Sequence, residues 1–302
     1  MALFEKVLEA KVMSTSLRIR ANVSKSVLLQ AYKIATAFET RYSAYRADSF
    51  LNTINQNSGE VPTPCNTDDL DLFHTAIEAS IATNGLFDIT IGSLSHGAYH
   101  YGFSDEALAS SQMIQKQKKL VKYQDITIKD NTILLEKKGM RLDLGGIGKG
   151  YVSKQIALFL ANSGASKLLV DVGGEIVTRG KSYTIAVKNP FSEGNISYIK
   201  TSKADMSIST SGDYLRYIDD KNHHILNCKE GTSPHYYSSM SILQNGWNID
   251  LLDAYATACF NLTLDEIHNM KENLGISLLI IHKDATISLL NHDILDLHSI
   301  TF

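Results

Sequence analysis

Cysteine and proline are scarce in this sequence. Its 302 residues include three cysteines and four prolines. Cys65, Cys228 and Cys259 are far apart and odd in number, which excludes a disulfide framework and does not match the spacing of a zinc site. The chain also has no internal repeat and no linker rich in proline, glycine or serine. These absences predict a single domain over residues 1–302.

Long runs of one residue class are missing as well. No extended basic run is present and the net charge is −3, so nucleic acid is not an expected partner. The longest apolar stretches, such as residues 276–281, are too short to cross a bilayer, which predicts no membrane span. The first twenty residues lack an apolar core segment and a small-residue cleavage site. The sequence as written therefore predicts a cytoplasmic protein, and a periplasmic one if its start is truncated or misannotated.

The apolar residues that are present follow two different periods. Helical spacing predicts five helices, at residues 25–42, 68–84, 150–163, 250–261 and 264–273. Strand-like segments occur at 166–172 and 183–189, and turn residues between apolar runs predict hairpins at 121–137 and 277–290, the second closing the chain. Because the strands come in antiparallel-looking pairs between helices, we expect an α+β fold with a mixed, largely antiparallel sheet.

The most informative segment, RLDLGGIGKGY at 141–151, runs from a short apolar strand through four glycines into a helix. Glycines let backbone amides approach a ligand closely, and the helix N-terminus favours an anion. Lys149 could place a positive charge beside a phosphate. The segment is not a Walker A loop, because Gly150 follows the lysine, and Tyr151 rules out a dinucleotide fingerprint. A tight strand-to-helix turn without a ligand is an equally good interpretation.

Asp253 and Thr257 are spaced four apart within a predicted helix and therefore lie on one face of it. A carboxylate and a hydroxyl are hard oxygen ligands suited to Mg²⁺, which keeps its other positions for water or substrate phosphate. The spacing alone favours a simpler interpretation. An aspartate near a helix start usually caps it, and a threonine inside a helix usually bonds its own backbone.

Hydroxyl and imidazole groups cluster in the third quarter of the chain. Residues 208–214 supply several hydroxyls and a glycine that could line a polar site. His224 could act as a general base, although a packed, hydrogen-bonded histidine at a strand end is the commoner case. His96 and His100 have the spacing of a zinc helix, but Gly97 stands where a metalloprotease needs glutamate, so we discount zinc.

Seven segments taken in order resemble the motifs of the ApbE family, the FAD:protein FMN transferases. No single one is decisive, but their order along nearly the whole chain is very specific. The segments lie at 12–15, 42–55, 84–94, 143–151, 170–175, 210–214 and 253–257. The resemblance implies an ApbE-like, T-fold-related architecture. It also implies a Mg²⁺-dependent reaction that cleaves FAD, releases AMP and attaches FMN through a phosphoester to a threonine or serine of an acceptor flavoprotein.

The resemblance also implies roles for individual residues. Asp253 and Thr257 would bind Mg²⁺ through their side chains, and Gly148, where the family usually has alanine, through its carbonyl. His224 would be the catalytic base for the acceptor hydroxyl, and Asp253 would support catalysis through the metal. The residues implied to lie along FAD are Asn84, Phe87, Asp88, Lys149, Gly173, Thr210, Ser211, Gly212 and His224.

The segment after His224 departs from the family pattern. Asn227, Cys228 and Glu230 replace aspartate, proline and threonine, whereas Gly231 is retained. Two alternatives to transfer therefore stay open: hydrolysis of FAD to FMN and AMP, and flavin binding without catalysis. The retained metal-ligand positions argue against the second alternative. The family's usual acceptors are flavin-bearing subunits of respiratory redox pumps, and a protein that stays in the cytoplasm would need a cytosolic acceptor.

Overall fold

The computed structural model describes residues 4–201, 203–214, 217–219, 222–290 and 297–301. Its helices are α1 (Lys25–Tyr42), α2 (Phe50–Gln56), α3 (Thr67–Ala82), α4 (Gly92–Ser95), α5 (Ser111–Lys118), α6 (Gly148–Asn162), α7 (Ile249–Cys259) and α8 (Leu264–Leu274). Its strands are β1 (Lys6–Val12), β2 (Thr15–Ala21), β3 (Thr63–Pro64), β4 (Ile126–Lys129), β5 (Thr132–Leu135), β6 (Leu168–Val172), β7 (Glu175–Arg179), β8 (Thr184–Lys188), β9 (Asn195–Thr201), β10 (Met206–Gly212), β11 (Tyr217–Asp219), β12 (Asn222–His223), β13 (Tyr237–Asn245), β14 (Ser277–His282), β15 (Ile287–Leu290) and β16 (Leu297–Thr301).

Eight of these strands form the main sheet, in the spatial order β1-β2-β6-β7-β10-β13-β14-β15. Smaller sheets are formed by β3-β5-β4, by β16-β9-β8 and by β11-β12. The strand ladders among the described residues are antiparallel, and one isolated parallel bridge joins Ile91 to Arg141. The predicted α+β class with a largely antiparallel sheet is confirmed.

The main sheet buries both of its faces. Along β6, Leu168 and Val170 belong to the larger core, whereas Leu169 between them belongs to a second cluster on the opposite face. This alternation follows from the two-residue period of a strand. Helices α6 and α7 pack on each other and on the first face, where α6 contacts β6 and β7 and α7 contacts β10 and β13. The larger core includes Leu160, Ile242, Leu252, Phe260 and Leu278.

The helix boundaries differ from the sequence prediction in ways that capping explains. Helix α1 matches its predicted range, and the Ser24 hydroxyl caps it by accepting from the Val27 amide. Helix α3 begins earlier than predicted because Asn66, rather than Thr67, is its cap. Asn66 and Asp69 accept from each other's backbone amides in a reciprocal capping box. The helix then ends before Asn84, which has a left-handed backbone conformation with φ of 50°.

Two further predictions need correction. Helix α6 begins at Gly148 rather than at residue 150, because the Gly148 amide already donates to the carbonyl of Leu144. The hairpin of β14 and β15 does not close the chain, since β16 follows it and pairs with the distant strand β9. Within the described residues, no helix combines the length and the apolar character that crossing a bilayer requires.

Candidate functional site

Helices α6 and α7 approach each other closely at Gly150. A Cβ atom on this residue would lie 2.3 Å from the carbonyl oxygen of Ile249 and 2.8 Å from the Cβ of Asp253. Real side chains do not tolerate such distances to backbone, so glycine is required for this helix contact. The lack of a side chain brings the first turn of α6 directly against the first half of α7.

Asp253 reaches across this contact to the start of α6. Its Oδ2 accepts a hydrogen bond of 2.9 Å from the Gly150 amide, while Ile147, at the cap position of α6, offers no side-chain hydrogen bond. The carboxylate therefore satisfies an amide at the N-terminus of a different helix, where its negative charge is also favoured. Asp253 is not the cap of its own helix, which was the simpler interpretation of the sequence.

Thr257 lies one turn further along α7, beside the glycine turn. Its hydroxyl donates to the carbonyl of Asp253 over 3.3 Å, as expected for a threonine inside a helix. The same Oγ1 would be only 2.9 Å from a Cβ atom on Gly146. Asp253 and Thr257 thus present their oxygens toward the turn that begins α6, and a larger residue at position 146 would cover the hydroxyl.

Three charged side chains, two of them buried carboxylates, meet at this place. The Lys149 ammonium lies 2.6 Å from Oε1 of Glu175 and 3.6 Å from Oδ1 of Asp253. Burial raises the pKa of Glu175 to about 8, with the charge of Asp253 adding to the rise and Lys149 opposing it. Burial also raises the pKa of Asp253, although Lys149 and the Gly150 amide act in the other direction. Both carboxylates are therefore short of compensating positive charge.

This arrangement fits a divalent cation. With both carboxylates ionised, the state that a bound cation favours, Asp253 and Glu175 share one ammonium group, and one negative charge of the cluster is uncompensated. The described residues contain no group of three or more His, Cys, Asp or Glu side chains that could hold a metal by themselves. Mg²⁺ does not need such a group, because it binds through one or two carboxylates and takes its other oxygens from water and substrate phosphate.

The glycine at position 148, where alanine is usual in the family that the motifs resemble, has a local explanation. A Cβ atom there would lie 3.2 Å from the ring of Phe38 and 3.6 Å from the Cβ of Leu144. The first of these contacts is tighter than ordinary van der Waals packing. Phe38 occupies the space that an alanine methyl group would need, and glycine still supplies a backbone carbonyl at this position.

A second glycine turn joins the inner strands β6 and β7 of the main sheet and lies near the first glycine turn. Gly173 has φ of 62°, and a Cβ atom on it would lie 2.4 Å from Oγ1 of Thr15. A Cβ atom on Gly174 would lie 3.7 Å from the Cβ of Thr210. The turn leads directly into Glu175, the partner of the site lysine. These contacts bring four of the sequence motifs together around the turn between β6 and β7. The motifs lie at 12–15, 143–151, 170–175 and 210–214.

The hydroxyl segment itself continues strand β10. Thr210 Oγ1 lies 2.9 Å from the hydroxyl of Ser241 on the adjacent strand β13. Ser211 and Gly212 pair with the next residues of β13, and all three are half-buried. These three residues lie at the end of β10, beside the glycine turns. Their contact with FAD stays a prediction.

Asp143 anchors the first glycine turn through contacts that the sequence did not indicate. Its Oδ1 accepts from the Gly145 amide, and its Oδ2 accepts from the Ser95 hydroxyl and lies 2.9 Å from His96 Nε2. Burial raises the pKa of Asp143, but these groups, His96 foremost, outweigh burial and hold it well below its usual value. The histidine of the rejected zinc motif therefore contacts the turn, while His100 pairs with Asp105 on the surface.

The predicted FAD contacts at 84–88 are spread over different surroundings. Asn84 is exposed and lines a cleft of about 280 Å³ between the end of α3 and α8. Phe87 is buried, and its ring would be 3.3 Å from a Cβ atom on Gly146, so it does lie beside the glycine turn. The carboxylate of Asp88 accepts from Thr90 and from the Tyr123 amide, which accounts for its burial without a ligand.

The two adjacent histidines after β11 differ in environment. His223 is buried, and its Nε2 donates to the carbonyl oxygen of Pro234 at 2.7 Å. Burial lowers the pKa of His223, so it is held neutral. His224 is only half-buried and follows the end of β12. Of the two, His224 is the one that a substrate could reach, and its role as a base stays a prediction.

The segment that departs from the family pattern keeps a well-formed turn. The side-chain oxygen of Asn227 accepts from the amides of Lys229 and Glu230, as an aspartate would. Gly231 has φ of 81°, and its amide donates to the carbonyl of Asn227. Cys228 is buried and unpaired with another cysteine, and burial raises the pKa of its thiol far above its usual value.

We expect Cys228→Pro to leave the flavin transfer that the motif resemblance implies within about twofold of its rate in the original protein. The ring would replace a buried side chain of similar size at the place where the family usually has proline, and it would restrict the unfolded chain. Transfer rate and melting temperature are the measurements. A folded variant without activity would show that the turn depends on the cysteine.

The comparisons with known proteins agree with these features. The family model described as "ApbE family" matches residues 13–280. A FAD:protein FMN transferase of Klebsiella pneumoniae (strain 342) is 28% identical over 207 residues, which are 67% of this chain and 65% of that protein. One of Treponema pallidum (strain Nichols) is 25% identical over 287 residues, which are 87% of this chain and 78% of that protein. The match to the Klebsiella protein thus spans less than two thirds of its length.

The solved structures show the same fold. The ApbE protein of Thermotoga maritima superimposes with a TM-score of 0.88 at 23% identity, covering 98% of this chain and all of that one. The flavin transferase ApbE of Vibrio cholerae gives a TM-score of 0.82 at 23% identity, covering 95% and 97% of the two chains. Since the family model spans most of the sequence and the fold agrees, this chain belongs to the ApbE family.

Proposed function

We propose that this protein is a Mg²⁺-dependent FAD:protein FMN transferase. One observation carries the proposal: Asp253 and Thr257, one helical turn apart, face a glycine turn whose lysine is held between two buried carboxylates. The relatives named as FAD:protein FMN transferases support the substrate and the type of reaction. In this reaction FAD is cleaved, AMP is released, and FMN is joined through a phosphoester to a threonine or serine of an acceptor flavoprotein.

Each site residue has a separate role in the proposed reaction. Asp253, Thr257 and the Gly148 carbonyl would hold Mg²⁺, which would supply positive charge to offset the negative charge on the departing AMP. Lys149 places its ammonium beside the pyrophosphate. Residues 210–212 and Gly173, at the neighbouring ends of β10 and β6, line the FAD site. His224 accepts the proton of the acceptor hydroxyl. Asp143 keeps the glycine turn in place through the Gly145 amide.

The test is to incubate the protein with FAD and Mg²⁺, with and without a candidate acceptor flavoprotein that carries a threonine or serine target. We expect AMP release that depends on the acceptor, together with an increase in acceptor mass equal to that of an FMN phosphoester. Free FMN and AMP formed equally without the acceptor would instead identify a FAD hydrolase. Flavin binding with neither product would identify a protein that has lost catalysis.

We also expect FAD to bind more tightly than FMN when Mg²⁺ is present. The lysine and the metal site address a pyrophosphate, and FMN offers a single phosphate to them. Fluorescence titration of both flavins, with Mg²⁺ and with EDTA, measures the difference. Equal affinities in the presence of Mg²⁺ would contradict the assignment of this site to the pyrophosphate.

A further inference from the structure

The buried cluster contains one carboxylate that the proposed mechanism does not use. The side chain of Glu175 is 1% exposed and that of Asp253 is 3% exposed, whereas the Lys149 side chain between them is 26% exposed. Lys149 sits on the first turn of α6, Glu175 begins β7, and Asp253 belongs to α7. The three charges therefore come from three separate elements, and each carboxylate is placed by a different part of the fold.

Lys149 lies closer to Glu175 than to Asp253. Its ammonium forms a short hydrogen bond of 2.6 Å to Glu175 but stays 3.6 Å from Oδ1 of Asp253. The other oxygen of Asp253 is occupied by the Gly150 amide. Oδ1 is therefore the less engaged oxygen of the carboxylate and the one that Asp253 can offer most readily to a cation, and it is also the oxygen to which Lys149 is nearest. Lysine and metal ion compete for one atom.

The backbone of Glu175 is fixed from two sides, and its side chain is buried. It follows directly on the tight Gly173–Gly174 turn, and its register in the sheet is fixed by pairing with Val172. Its carbonyl accepts a hydrogen bond of 3.0 Å from the Ser153 hydroxyl of α6, the helix that also carries Lys149. A lysine has a flexible stem, so the position of its ammonium is set by the partner that is fixed.

We propose that Glu175 is a positioning residue for the magnesium site: it draws Lys149 away from Oδ1 of Asp253 and leaves that oxygen to the ion. The inference rests on the proposed function, in which Asp253 binds Mg²⁺. Without the Glu175 carboxylate, the ammonium turns to its remaining partner and forms a direct ion pair with Asp253. That pair occupies the ligand oxygen and places a positive charge where the ion has to bind.

A double-mutant cycle on Glu175 and Lys149 tests this role, with Mg²⁺ alone as the probe and calorimetry as the readout. We expect Glu175→Gln to weaken Mg²⁺ binding about tenfold or more, as losses of outer-shell partners do. The double variant with Glu175→Gln and Lys149→Met should bind Mg²⁺ as tightly as Lys149→Met alone, because the competing ammonium is gone. The two substitutions are thus expected to be strongly coupled.

The contrary outcome is additivity. If Glu175 contributed only its negative charge, Glu175→Gln would weaken Mg²⁺ binding by the same factor with and without Lys149, and the positioning role would be overturned. Circular dichroism and melting curves check that each variant is folded. Glu175→Ala, which removes the group without adding an amide, repeats the cycle should the glutamine variant not fold.

Failure of the proposed function would look different. If the original protein bound no Mg²⁺ at millimolar concentration and Asp253→Asn changed nothing, the metal site itself would be wrong. If the original protein bound Mg²⁺ through Asp253 while Glu175→Gln bound it equally well, the metal site would stand and the role of Glu175 would fall.

Discussion

Replacing Asp253 by asparagine is expected to lower Mg²⁺-dependent flavin transfer on the order of 100-fold or more, because a direct ligand should matter more than the outer-shell partners whose loss costs about 10- to 100-fold. The asparagine oxygen can still accept from the Gly150 amide, so the start of α6 keeps its hydrogen bond. What disappears is the negative charge. The melting temperature should therefore change far less than the activity.

The measurement is AMP release or flavin transfer across a Mg²⁺ titration. Excess Mg²⁺ should recover part of the lost rate if weakened binding is the cause. Thr257→Val is the matched comparison on the same helix face, and its effect should be smaller, since water can replace a neutral ligand. Turnover of Asp253→Asn close to that of the original protein at low Mg²⁺ would show that Asp253 serves only as a cap for α6.

Replacing His224 by alanine is expected to lower the rate of transfer by about 100- to 10,000-fold, the range typical for loss of a general base. Mg²⁺ should still bind, because its expected ligands lie on α6 and α7 and not in the His224 segment. FAD affinity should fall far less than the rate, because His224 is only one of the residues implied to lie along FAD. Single-turnover transfer to the acceptor and equilibrium FAD titration separate the two effects.

His223 offers a matched control one residue away. Its ring is buried and bonded to the Pro234 carbonyl, so His223→Gln should lower stability while the folded fraction keeps its rate. Equal losses of rate in both variants, with FAD binding retained, would mean that the segment matters only for packing. Loss of FAD affinity in His224→Ala without any change in the rate of the bound complex would also remove His224 as the base.

Local patterns predicted five of the eight described helices but only six of the sixteen described strands. The predictions that succeeded have local causes. The helical spacing at 25–42 and the turn at Asp130 and Asn131 depend on neighbouring residues, and both features occur in the structure as predicted. The sequence predicted that α6 begins at residue 150, two residues later than it does, because the glycines at 145–150 are typical of a turn. The pairing of β16 with β9 joins segments about a hundred residues apart, and nothing local announces it.

The site was predictable only in part for the same reason. The motifs identify Lys149 and Asp253, but not that a carboxylate of β7 would hold the lysine. His96 was considered only for a zinc motif, and discounted, because its spacing from His100 is visible in the sequence, whereas its contact with Asp143, 47 positions away, is not. The sequence shows which chemical groups are available, and the packing of α6, α7 and the sheet decides which of them meet.

The close approach at Gly150 has a consequence for any attempt to move this site into another protein. Asp253 is aimed at the α6 start by a contact between two helices, not by the glycine segment itself. A graft of residues 143–151 alone would carry the amides and the lysine but no carboxylate to face them. The smallest transferable unit is the pair of helices with β7, and a side chain at position 150 would force that pair apart.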